Sequence, residues 1–467
     1  TRAITHKAAE ELRCTRPDLC AARGEPRALR WALIGAGLAA AMWLAPAATQ
    51  TTVGAALALV FLAWIALRLI GFLTPKEAPR RAPALADDRL PTYTIIVALY
   101  REAAVVEGLV AALDALDYPR EKLDIKLVLE SDDLATRAAI AALDLGPPYE
   151  VVMAPRGDPR TKPKALNAAL LFARGAFTAV YDAEDRPEPD QLRRALERFR
   201  QEPELACVQA RLSIYNAADD WLTRLFAAEY CGLFDVFLPA LAACRLPFPL
   251  GGSSNHFRTA VLRAIGGWDP YNVTEDADLG VRLARFGHRM GVIASTTFEE
   301  APVGVAAWLW QRTRWFKGWM QTWIVHMRAP VSLARELPLS AFLAFQLTVG
   351  GTVVAALVHP LFLAALIHAA ATGQPVLGAA DDATAVALAG LHGLSCLAGY
   401  LVTTALCLLG LSRRRLLAHA WALALLPVLW LLLSLAAWCA VFELVRDPYR
   451  WNKTEHGCAK SPRRAHA

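Results

Sequence analysis

Acidic residues gather where β-rich runs of the chain end. Tyr100-Arg101-Glu102 follows one run, Glu130-Ser131-Asp132-Asp133 a second, and Asp182-Ala183-Glu184-Asp185 a third. One such cluster would be an ordinary turn, whereas three together point to a pocket for a cation and a polyhydroxyl ligand. Magnesium is held through one or two carboxylates and completes its octahedron with phosphate oxygens and water. Manganese accepts the same ligands. Asp182, Glu184 and Asp185 are therefore candidate ligands for Mg2+ or Mn2+ shared with a diphosphate. The competing reading is a set of solvated acids at a helix N-terminus opened by Arg186-Pro187-Glu188-Pro189. Lys162 and Lys164 offer cations for phosphate oxygens. Thr274-Glu275-Asp276, on its residues alone, reads as a threonine-capped helix start with acids in its first turn. Trp308, Trp310, Trp315, Trp319 and Trp323 crowd one short stretch with Gln311, Arg312, Arg314 and Lys317 between them. Indole faces stack on sugar rings and arginine grips a diphosphate through two oxygens, although a membrane-interface aromatic belt has the same composition.

These residues need a scaffold. Runs at 92–99, 125–129, 149–153 and 177–181 read as short strands, separated by helical segments such as 103–116 and 190–200. That alternation predicts an α/β domain with a mostly parallel sheet. Ligands of such sheets bind beyond the carboxyl ends of the strands, where the acidic clusters fall.

The composition adds a membrane. The chain has 467 residues, of which 55% are hydrophobic and 20% charged, with a mean hydropathy of +0.31. Disorder and a purely cytosolic protein are excluded on those figures. Nine cysteines without a CxxC pair exclude a disulfide scaffold and suit no zinc site. A span needs about 20 apolar residues. Residues 31–73 contain a single charge, Arg68, and predict two spans that are retained rather than cleaved as a signal peptide. Charge-free stretches at 340–380 and 383–411 predict two more. The lysine and arginine bias makes 1–30 a cytoplasmic basic tail and 76–300 a cytoplasmic domain. Residues 301–335 are expected as interfacial helices, and 336–411 as a transmembrane pair. For 412–446 the favoured reading is a helix broken at Pro427 that lies in the interface or re-enters, with a full span as the alternative. The tail 447–467 follows.

In this order, between membrane helices, the motifs resemble the processive family 2 glycosyltransferases, which include bacterial cellulose synthase and shorter β-glucan synthases, some of mixed linkage. The resemblance covers about 91–324 and implies a GT-A-type domain. Asp182-Ala183-Glu184-Asp185 resembles the DxD metal motif, with Glu184 where the second aspartate is usual. Thr274-Glu275-Asp276 matches TED, whose aspartate is the general base. Gln311-Arg312-Thr313-Arg314-Trp315 matches QxxRW, in which arginine meets the diphosphate and tryptophan the acceptor sugar. Tyr100, Glu102, Glu130, Asp132, Lys162, Lys164 and Asp182 fall among the nucleotide-sugar groups. Gly252, Ser253, Asn255 and His256 fall in the acceptor-proximal loop. Trp451, Lys453, Thr454 and His456 resemble a gating loop. No later transmembrane pair or cyclic-di-GMP-binding PilZ domain is expected.

The resemblance implies transfer of glucose from UDP-glucose to a growing β-glucan of 1,4 or mixed 1,3;1,4 linkage, with inversion, and export across a bacterial inner membrane. The implied partners are the lipid bilayer and a periplasmic export protein, with no nucleic acid. Single-sugar transfer to a lipid acceptor and synthesis of a mannan or an N-acetylglucosamine polymer are the alternatives. A transporter whose soluble domain merely binds nucleotide leaves the strand-end acids unexplained.

Overall fold

The computed structural model describes residues 2–22, 43–74, 85–373 and 382–450, with 37, 39, 40, 457, 459 and 460 besides. Its centre is an eight-stranded sheet of β1 (Tyr93–Leu99), β2 (Leu123–Leu129), β3 (Tyr149–Met153), β4 (Phe177–Tyr181), β5 (Arg186–Pro187), β6 (Leu205–Ile214), β7 (Asn255–Arg258) and β8 (Arg289–Glu299). The spatial order is β3-β2-β1-β4-β7-β6-β8-β5. β1 runs parallel to β2 and β4, with Tyr93 level with Leu123 and Phe177. In that register the carboxyl ends of β1, β2 and β4 share one edge, so Tyr100, Glu130 and Asp182 emerge side by side. β7 runs antiparallel to β4 and β6, which brings the residues before it, 251–254, to the same edge. The central strands are buried on both faces, as parallel strands between helices must be.

Helices Val106–Asp114 and Gln191–Gln201 cover one face through Leu109, Leu113, Leu192 and Phe199. The other face packs on Trp221–Gly232 and the helical turns that follow it, in a cluster that continues into Cys407, Leu411, Leu426 and Leu429. Catalytic domain and apolar helices thus share one core. Among the described residues, five helices are long and apolar enough to cross a membrane, but the one at Trp221–Ala243 has 83% of its apolar stretch buried inside the protein. It is a core element. Its Asp235 pairs with Arg211 and Arg414, which ties the carboxyl end of Ala383–Arg413 to the sheet domain.

Two stretches singled out in the sequence take definite shapes. The basic N-terminal tail is folded: Arg2–Thr15 is a helix that buries Ala8, Ala9 and Leu12, and Leu19 and Cys20 beyond it are fully buried. Asn167 donates to the Ala8 carbonyl at 3.1 Å. The hydrophobic spacing of 8, 9 and 12 supplies the reason, a one-sided apolar stripe next to charged residues.

Pro427 stands where a 3-10 stretch, Leu417–Leu425, gives way to the last α-helix. Leu426–Arg446 is continuous with the proline in its first turn, where a missing N–H and a fixed φ cost nothing. At about 1.5 Å per residue it is about 31 Å long. It lies along Val305–His326, pairing Ala436, Ala437 and Ala440 with Phe316 and Met320. Both of its ends meet the catalytic domain: Leu426 and Leu429 join the core, while Glu443 takes Lys317 Nζ at 2.9 Å. The first predicted span, 31–47, falls largely outside the described residues.

Candidate active site

Each acidic turn at the sheet edge divides its labour. After β2, Glu130 faces a cavity, whereas Asp133 caps the helix Leu134–Ala142 by accepting from the Thr136 N–H at 3.1 Å. Asp133 also accepts from the Arg101 N–H. It thereby shapes the turn after β1 that holds Tyr100 and Glu102, with Arg101 at a positive φ of 56°. Asp132 points outward to Arg160 at 2.9 Å, about half-exposed. Burial pushes the Glu130 carboxyl up, against the pull of Lys164 and Arg160.

After β4, Asp182 and Glu184 face the cavity. Asp185 turns under them: it accepts the Asp182 N–H at 2.8 Å and the Ser253 hydroxyl. Burial, reinforced by Asp182 and Glu184, holds it well above the carboxylate range. Lys162, at the start of helix Lys162–Leu170, donates to Asp182 Oδ1 at 2.5 Å and to the Gly252 carbonyl at 2.8 Å. Asp182, Glu275 and Asp276 raise its affinity for a proton against burial, the largest single influence. Lys164, two residues on, donates instead to the Gly157 carbonyl at 2.5 Å and does not line the cavity.

The TED residues open the helix Glu275–Arg285 against the same spot. A Cβ built on Gly252 would stand 3.3 Å from Asp276 Oδ2 and 4.0 Å from Asp182 Oδ2, so both carboxylates border one small space. Burial, then the neighbouring Asp276, push Glu275 up to about 7, with Lys162 opposing. Burial also raises Asp276, while the Ala277 N–H, Lys162 and Arg314 hold it down. Arg314 feels Glu275, Asp276 and Asp182 and approaches the Val273 carbonyl at 3.5 Å.

Val305–His326 carries Gln311, Arg314 and Trp315 on its cavity side. Arg312 packs over Trp315 and pairs with Glu229 at 2.8 Å. Gly318 lets this helix touch the TED turn, since a Cβ there would fall 2.2 Å from Thr274 Oγ1. Of the five tryptophans, Trp308 is core, Trp310 is 60% exposed, and Trp315 and Trp319 line the cavity. Trp323 donates to Gln346 at 2.9 Å.

The cavity, about 410 Å3, runs from Tyr100, Glu102, Arg160 and Lys162 past Asp276 and Trp315 to Trp64, Arg68, Thr352, His359, Thr403 and Trp430 among the long apolar helices. Gly252 and Ser253 line it. Asn255 and His256 do not: Asn255 bonds the Gly251 carbonyl at 2.5 Å. His256 sits between Tyr93 and Gln191 at 2.8 and 3.2 Å, its pKa pressed down to about 3 by burial. Trp451, Lys453, Thr454 and His456 lie outside the described residues. The chain on either side of them is held near the cavity, the Arg450 carbonyl by Lys317 at 2.7 Å and the Gly457 N–H by Glu300 at 2.9 Å. Sequence reasoning did not single out Arg160, Glu300 or the helix-borne residues, apart from noting Arg68 as a solitary charge.

Sheet, edge cavity and paired carboxylates define a GT-A glycosyltransferase fold. Residues 91–318 match the family described as "Glycosyltransferase like family 2". The chain is 32% identical over 294 residues to a β-monoglucosyldiacylglycerol synthase of Synechocystis, 60% of each protein. It is 28% identical over 250 residues to a probable glucomannan 4-β-mannosyltransferase of Arabidopsis thaliana, covering 52% of this chain and 45% of that one. These matches span about half of the relatives' length. Among solved structures, the mannosyltransferase PcManGT of Pyrobaculum calidifontis, determined with GDP-mannose and Mn2+, superposes with a TM-score of 0.57 at 20% identity, over 85% of this chain and 99% of that one.

Proposed function

We propose that the chain is a membrane-embedded, inverting hexosyltransferase that extends a β-glucan with glucose from UDP-glucose and passes the product between its own helices. The observation that carries this reading is the single cavity joining Asp182, Lys162, Asp276 and Trp315 to Trp64, His359 and Trp430. Asp276 accepts the proton of the acceptor hydroxyl as that oxygen bonds to C1 and the bond from C1 to the diphosphate breaks. A positioned base contributes about 10²–10⁴-fold. Lys162 and Arg314 bear on the departing diphosphate, and fixed cations in a buried site act without reorganisation. Trp315 holds the acceptor ring in line, and Tyr100, Glu102 and Glu130 border the nucleoside.

Among the described residues no three-member cluster of His, Cys, Asp or Glu is disposed around one point. Two carboxylates, Asp182 and Glu184, face the cavity, which fits a Mg2+ or Mn2+ whose remaining ligands are phosphate oxygens and water. Such a cation, when bound, neutralises charge on the leaving group.

Membrane placement follows from the helices. Leu431, Leu435, Trp438, Phe442 and Val445 form an exposed apolar face on Leu426–Arg446, suited to lipid at the inner surface of a bacterial plasma membrane. The N-terminal segment and the catalytic domain are in contact, which supports one side of the membrane for both, and the basic residues of the segment support the cytoplasmic side.

A second reading is transfer of one sugar to a lipid, favoured by the similarity to a glycolipid synthase and by the apolar walls of the inner cavity. Incubating the full chain in lipid nanodiscs with UDP-[14C]glucose separates the two. Ethanol-insoluble label released by linkage-specific β-glucanases supports the polymer, whereas label confined to the chloroform phase overturns it.

A further inference from the structure

The loop 269–274, which delivers Glu275 and Asp276, is held from three directions. From the QxxRW helix, Thr322 accepts from Asn272 at 2.9 Å and Gln321 accepts the Val273 N–H at 3.1 Å. From beyond the last apolar helix, Pro448 accepts from the other end of Gln321 at 2.8 Å. The third hold comes from the N-terminal segment, more than 240 residues away in sequence. The Asp269 carboxylate is fully buried. One oxygen accepts the Ala21 N–H at 2.6 Å, and the other accepts the Cys20 thiol at 3.3 Å and the Tyr271 N–H at 3.0 Å. Arg328 fixes the same segment by donating to the Cys20 carbonyl at 2.6 Å. Tyr449 donates to the Ala21 carbonyl at 3.2 Å, and Tyr271 donates to Glu10 at 2.7 Å. Behind Asp269, the TED helix is anchored by Asp278, which pairs with Arg282 at 2.7 Å and His326 at 3.0 Å.

We propose that Asp269 is a positioning residue through which the N-terminal segment 2–22 holds the base-bearing loop in register with the cavity. The segment is then a working part of the catalytic unit. An anion that gathers three donors from two distant stretches fixes their separation more firmly than apolar contact does. Releasing it lets Asp276 drift relative to the acceptor while the nucleotide groups on β1, β2 and β4 stay in place. The proposal rests on the reading of Asp276 as the base.

The test uses the full chain in nanodiscs and two variants, Asp269→Asn and Arg328→Gln, the second loosening the segment without touching the loop. UDP release from UDP-glucose and hydrogen exchange are read together. Both variants are expected to lose kcat by about 10²-fold, the scale of a 1 Å misplacement, with the KM for UDP-glucose within about threefold of the parent's. Amides of 18–22 and 271–276 exchange faster in both, while those of β1 and β4 do not. Unchanged kcat in a folded variant whose segment has loosened overturns the proposal, as does a loss of activity that tracks only the loss of folded protein. Retained turnover in Asp276→Asn sinks the base assignment instead. The exchange pattern still reports whether Asp269 couples the segment to the loop.

Discussion

At the scale of single residues, two adjacent carboxylates in one turn have opposite environments. Glu184 looks into the cavity, while Asp185 is consumed by the Asp182 N–H and the Ser253 hydroxyl. Glu184→Gln is therefore expected to raise the Mn2+ concentration needed for half-maximal turnover at least about tenfold, the effect of losing a carboxylate ligand or its support. Asp185→Asn is expected to lower thermal stability with that midpoint little moved. Titrating turnover against Mn2+ distinguishes them. Asp276→Asn is expected to cost about 10²–10⁴-fold in UDP release with UDP-glucose binding retained by calorimetry.

Glu275 carries a pH signature. Its carboxyl is pushed up to about 7 in the folded state, against an ordinary value near about 4.3. The protonated form is thus the one the fold favours. Its contribution is complete below the ordinary value and disappears as pH rises through about 7. Glu275→Gln keeps the neutral shape at every pH, so its Tm relative to the parent is expected to be higher at pH 8 than at pH 5. An equal difference at both pH values removes the assignment.

At the scale of elements, the first four strands and the helices between them were legible because each is an apolar run ending in turn residues. β3 and β4 were placed to the residue. β6 and β8 were missed: their sequences, with Gln209, Arg211, Thr296 and Thr297, mix polar residues that the interior satisfies through contacts unseen in sequence. The site shows the same boundary. Residues that directly follow a strand were found, but adjacency could not say which face a neighbour takes. Ser253 precedes β7 at its cavity end, whereas His256 lies within the strand and turns to Tyr93 and Gln191. Lys162 and Lys164 differ likewise by a fraction of a helical turn. The folding of the N-terminal helix was obscured by its arginines, which advertise a solvated tail although alanines and Leu12 carry the packing.

The contact between Gly318 and Thr274 is an element-scale test. A methyl group at 318 would overlap Thr274, and overpacking of this kind costs about 1–3 kcal/mol. Gly318→Ala is expected to lower Tm and turnover together, whereas an exposed change such as Ile324→Ala on the same helix alters neither measurably.

At the scale of the whole molecule, the catalytic domain and the apolar helices form one body. Phe226 and Phe257 share a core with Cys407 and Leu411, and the cavity crosses the boundary without interruption. If product leaves along that path, the stacked pair Tyr400 and Trp430, 4.4 Å between ring centroids, lies beside its route. Trp430→Ala is expected to shorten the polymer while leaving the first transfer near the parent rate, read by size-exclusion of labelled glucan. Unchanged chain length would place the product elsewhere.

The helix that bears Trp315 lies beneath a lipid-suited apolar face and meets Thr274 with no slack at Gly318. If that face meets lipid and Asp276 is the base, a change in acyl-chain length that tilts this helix would push on the turn beside it. On that reading, turnover is expected to vary with membrane thickness through the close approach at Gly318.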